Sequence, residues 1–61
     1  MKSSELLRIL KQDGWLEKRQ KGSHIIMVHP SKEGILIVPS HGSAEVGTGL
    51  ANKLLKQAGI R

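Results

Sequence analysis

In the segment KRQKGSHIIMVHP, Lys18 to Pro30, a basic turn delivers a histidine to the start of an apolar strand. Imidazole contributes little as a strand packing residue, but it exchanges protons near neutral pH, so His24 suits general acid or base work. Arg19 and Lys21 precede it closely, and no acidic residue stands near enough in sequence to explain His24 as half of an ion pair. Cations beside a proton-transfer group fit phosphodiester cleavage, where the phosphorane carries extra negative charge. Ser23 adjoins His24, but successive strand residues point to opposite faces and no acid completes a triad. Its reading is a contact to phosphate through the hydroxyl or backbone. The plain alternative for His24 is an edge-strand imidazole bonded to nearby backbone.

The other histidines are His29 and His41. Five positions on in the same strand, His29 should face away from His24 and decorate the turn that follows. His41, in VPSHG, is a candidate second acid or base. Strand alternation separates the histidines and no Cys, Asp or Glu complements them, so no metal site is expected. Gly47-Thr48-Gly49 opens a helix whose free N–H groups can hold phosphate. Simple capping by Thr48 is the reading preferred for it.

The elements that must position these residues follow from periodicity. A helix is expected from about Ser4 to Gln12, with Ser3 as N-cap, Glu5 in the first turn, an apolar stripe of Leu6, Leu7, Ile9 and Leu10, and Gly14 as the stop. A second helix runs from Thr48 or Gly49 to Ala58, with Leu50, Ala51, Leu54, Leu55 and Ala58 on one face and Gly59 closing it. Three strands lie between: roughly Trp15–Gln20, Ser23–His29 and Ile35–Val38. A Lys21-Gly22 turn would put Arg19 opposite His24, while HPSKEG reads as a longer turn that sets His24 against Ser40. The order is α-β-β-β-α, an α+β fold in which two helices cover one face of a three-stranded antiparallel meander.

The chain of 61 residues supports one domain, spanning 1–61, with no repeat or linker. It has no cysteine, which removes disulfides and thiolate chemistry. Its apolar runs are too short to span a membrane and the N-terminus lacks the pattern of a secretory signal, so a cytoplasmic location is expected. Ten Lys and Arg against five Asp and Glu give a net charge of +5, which favours a polyanion partner, most simply nucleic acid. Trp15 is the single aromatic residue, so a stacking platform for several bases cannot be built, and Trp15 itself reads as a core anchor.

Four ordered blocks, SSELLRILKQDGW, RQKGSH, VPSHG and GTGLANKLLKQAGI, resemble the HicA toxin family over nearly the whole chain. The resemblance implies a double-stranded-RNA-binding-domain-like fold and a metal-independent endoribonuclease acting on mRNA, with the histidine of GSH, here His24, as the essential residue. Arg19, Lys21 and Ser23 are then the candidate RNA contacts. It also implies a HicB-type antitoxin as partner, with operator DNA reached only through that antitoxin. A non-catalytic basic RNA-binding module is the competing reading.

Overall fold

The computed structural model describes residues 1–40, 42 and 44–61. Its elements are α1 (Ser3–Gln12), β1 (Leu16–Lys21), β2 (His24–His29), β3 (Lys32–Pro39) and α2 (Thr48–Gln57). The strands form one antiparallel sheet in the order β1-β2-β3. Strand alternation divides it into two unlike faces. Ile25, Met27, Leu36 and Val38 point inward, where Leu6 and Leu10 of α1 and Ala51, Leu54 and Leu55 of α2 meet them in one buried cluster with Trp15, Val46 and Ala58. The opposite face is left open, so the expected α+β arrangement of two helices on one side of a meander is the one found.

Both helices stop as their glycines require. Gly14 and Gly59 take φ of +110° and +76°, one residue past the C-caps Asp13 and Ala58. The N–H groups of Trp15 and Ile60 then bond back to Leu10 and Leu55 at 3.1 and 3.0 Å, and those of Gly14 and Gly59 to Lys11 and Lys56. These are Schellman closures, and each folds its following apolar residue onto the core.

The helix starts differ from expectation. Lys2, not Ser3, is the N-cap of α1, and Gly47, not Thr48, is that of α2; neither helix has a side-chain cap. Tertiary structure supplies the missing acceptors for α1: the N–H groups of Ser3 and Ser4 bond to the carbonyls of Ala44 and Gly42 at 3.0 and 2.9 Å. Ser3 is fully buried, and its hydroxyl donates to the carbonyl of Pro39. On α2, Leu50 is exposed at 45% and does not join the buried face.

The first turn has the expected length but lies one residue further on, and the second is tighter than the sequence suggested. Lys21 pairs with His24, so the first loop is Gly22-Ser23. Gly22 alone has positive φ, +61°, as a type II′ hairpin needs at its first central position. Likewise His29 pairs with Lys32, leaving Pro30-Ser31 as the second loop. Lys32, Glu33 and Gly34 thereby join β3 through an irregularity at which Gly34 takes φ +85°.

His29 does more than decorate that turn. Its side chain is 7% exposed and lies 5.3 Å from Trp15, edge to face. The Ser31 N–H donates to Nδ1 at 3.0 Å, which leaves Nε2 of the neutral ring as donor to the Asp13 carbonyl at 2.8 Å. Beside it, Lys32 Nζ bonds to the Asp13 carboxylate at 2.6 Å and to the Ala58 carbonyl at 2.8 Å. Two adjacent residues at one sheet end thus join the C-termini of both helices, where cations are favoured. The hydrogen bond from Lys32 holds the Asp13 carboxyl below its ordinary value against the desolvation that raises it; the charge of Lys32, the neighbouring His29 ring and, least, the Trp15 indole add to the effect. That indole N–H is near the carboxylate without making a hydrogen bond of good geometry among the described residues.

Candidate nucleic-acid interface

The open sheet face is organised in cross-strand rows. One row runs Lys21–His24–Pro39 and the next runs Arg19–Ile26–Ile37. Residues two apart on a strand share a face, so these rows lie side by side. Arg19, Lys21, Gly22, His24, Ile26 and Ile37 together line one shallow depression. Three of the residues singled out in the sequence are therefore brought together, through a register that differs from the one expected. Arg19 stands opposite Ile26 rather than His24, and His24 stands opposite Pro39 rather than Ser40.

A bulge makes this possible. Leu16 pairs with Val28 and Glu17 with Met27, but the pairing then skips Lys18, and Arg19 meets Ile26. With Leu16 turned outward, unbroken alternation would aim Arg19 and Lys21 to the helix side. The extra residue reverses the phase and turns both cations to the face of His24. β2 is the central strand, so His24 is not an edge-strand residue. It is nevertheless exposed, being the first residue of that strand.

Among the described residues the side chains of Arg19, Lys21 and His24 have no hydrogen bond or ion pair. Three of the five acids are engaged elsewhere: Asp13 with Lys32, Glu17 with Lys11, and Glu45 with the terminal ammonium of Met1. Among the described residues, no carboxylate lines the depression. Such a surface attracts an anion and keeps an imidazole accessible within it.

Ser23 is exposed in the hairpin loop, where its carbonyl accepts from the Ser40 N–H at 2.7 Å; it is not among the residues lining the depression. His41 lies outside the described residues. His29 is on the opposite face of β2 from His24, as alternation required. A second depression on α1, lined by Ser4, Leu7, Arg8, Lys11 and Gln12, holds no imidazole or carboxylate among the described residues.

Ile26 and Ile37 are the lining residues that sequence reasoning missed. The signal was present in the runs Ile25–Val28 and Ile35–Val38, which are apolar at every position. Strands covered on one face alternate, so an unbroken apolar run announces a second apolar face.

Fold and site together define a small α+β domain of the double-stranded-RNA-binding-like class, with a histidine on a basic open sheet face. The chain belongs to the HicA toxin family: the family model described as HicA toxin of bacterial toxin–antitoxin matches residues 3–60. It is also 38% identical, over all of its 61 residues and 98% of the relative, to a probable mRNA interferase HicA of Pseudomonas fluorescens (strain Pf0-1).

Proposed function

We propose that this chain is the toxin of a toxin–antitoxin pair and an endoribonuclease that cleaves mRNA, with His24 as its essential acid or base. The observation that carries the reading is the grouping of His24 with two cations, Arg19 and Lys21, in one exposed depression where, among the described residues, neither has a partner and no carboxylate is present. The name of the Pseudomonas relative supports RNA as substrate. In the reaction a base removes the proton of the 2′-hydroxyl, that oxygen attacks phosphorus, and the 5′-oxygen leaves with a proton from an acid. His24 takes one of the two proton-transfer roles. Arg19 and Lys21 neutralise the charge that develops on the phosphorane, and Ser23 contacts an adjoining phosphate from the loop. His41 is the candidate for the complementary acid or base. The chemistry is that of side chains alone, without a metal ion.

The partner that controls it is a HicB-type antitoxin, acidic where it covers the basic end of the sheet, and operator DNA is engaged only through that antitoxin. The pair acts in the cytoplasm; among the described residues, no helix is long and apolar enough to cross a membrane. Purified protein incubated with a labelled transcript in EDTA tests the reading. Cleavage that disappears in His24→Ala supports it. Tight binding without cleavage would replace it with the non-catalytic RNA-binding module.

A further inference from the structure

The depression around His24 is basic at its rim and apolar at its floor. Ile37 is 54% exposed, and Ile26 beside it on β2 is half-buried. Single exposed apolar residues are ordinary on protein surfaces. These two are paired across adjacent strands, in one row with Arg19 and next to the row of Lys21 and His24. Neighbouring strands are about 4.8 Å apart, so the two side chains make a continuous plate comparable in width to a six-membered ring.

The combination restricts the ligand. A bare phosphate uses the cations and gains nothing from isoleucine. A purely apolar ligand would desolvate Arg19 and Lys21 without pairing them, which is costly. A second copy of this chain would set like charges against one another. A nucleotide satisfies both parts, because it joins an anion to a flat ring whose faces are apolar and whose edges are polar. Trp15, the one aromatic residue, is 1% exposed in the core, so it is not available to stack a base.

We infer that Ile26 and Ile37 form a nucleobase subsite, on which one unpaired base of an RNA strand lies flat while Arg19 and Lys21 hold its neighbouring phosphates. The inference rests on the reading above in taking RNA as the ligand. Among the described residues the floor carries no hydrogen-bonding side chain, so the subsite requires that a base be present and unstacked while discriminating weakly among bases. It is a positioning device: a base seated in the Arg19 row sets the adjoining phosphodiester toward the row of His24, about 6.6 Å along the strand.

The test uses a 2′-O-methyl oligouridylate, which cannot be cleaved, and the same ribose–phosphate chain without bases, both titrated against the full chain by fluorescence anisotropy. The native protein should prefer the base-bearing strand by about fivefold, the contribution of a partly covered isoleucine side chain. Ile37→Ala should remove most of that preference without changing affinity for the abasic chain. Ile37→Thr, which retains the β-branched shape of a strand residue, should give an intermediate loss. Ile35→Ala, at a position 56% exposed on the same strand but outside the depression, should change neither affinity. Equal affinity of the native protein for both chains would overturn the subsite. So would an equal weakening of both by Ile37→Ala, or an Ile35→Ala effect as large as that of Ile37→Ala. A protein that shows the base preference but cuts no transcript retains the subsite and loses the ribonuclease reading. One that cuts transcripts without the preference loses the subsite alone.

Discussion

His24 and Gly14 are held in place for opposite reasons, and their substitutions should separate accordingly. The His24 side chain is exposed and unbonded among the described residues, so its loss should cost the fold almost nothing. His24→Ala is expected to lower RNA cleavage by about 10²-fold or more, the usual worth of a positioned proton-transfer group, with the urea midpoint unchanged. An unchanged midpoint with full activity would remove His24 from the reaction. Gly14 is the converse case. A Cβ there would stand 2.7 Å from His29 Nε2, at a φ of +110° that other residues rarely adopt. Gly14→Ala should therefore destabilise by about 1–3 kcal/mol, read as a lower urea midpoint, and the depression at the far end of β2 should keep its chemistry in the molecules that remain folded.

The hairpin β1–β2 and the helix C-termini show two ways in which elements are registered. The hairpin depends on Gly22 at the turn and the extra residue at Lys18, and together these decide which face the cations take. The helix ends depend on the polar clasp of Asp13, Lys32 and His29. Because Lys32 holds the Asp13 carboxyl below its ordinary value of 3.8, folding is favoured above that value, and the contribution is lost as pH falls through the lower folded value. Asp13→Asn should melt below the native chain at neutral pH, and the difference should close in acid. A gap that stays constant from roughly pH 7 to pH 3 would show that the ionised pair contributes nothing. The side chain is 31% exposed, so the neutral-pH difference should be small.

Charge and size govern the behaviour of the molecule as one body. With a net charge of +5 and no accessible aromatic residue, its hold on RNA should be mainly electrostatic. The slope of log affinity against log salt is expected to reach at least about −1.4 if Arg19 and Lys21 each meet a phosphate of a single strand. It should flatten when both are replaced by alanine, and a nearly flat native dependence would exclude charge as the basis of binding. A domain this small has a limited core, so a partner covering the depression should raise its stability while blocking it. The complex with the antitoxin is expected to melt higher than the free toxin, by an amount that grows with antitoxin concentration, and to shield His24 from diethyl pyrocarbonate. Inhibition with His24 still fully reactive would place the antitoxin elsewhere on the surface.

Element order, the two glycine helix stops, the burial of Trp15 and the opposed faces of His24 and His29 were all legible in the sequence. Each depends on local period or on the backbone freedom of one residue. Ser3 and Thr48 misled because capping propensity is local, while the N–H groups at the start of α1 are satisfied by carbonyls some forty residues away. His29 looked like turn decoration because its partners, Asp13 and Trp15, come from the other end of β1. The register of the candidate site was beyond reach for the same reason. Gly22 signalled a turn without fixing its centre, and nothing in LEKRQK marks Lys18 as the extra residue. Only the packed sheet decides that, because Leu16 must stay outside while Glu17 pairs with Met27 and Lys21 with His24, and six residues can meet both ends only by giving up one place in the ladder.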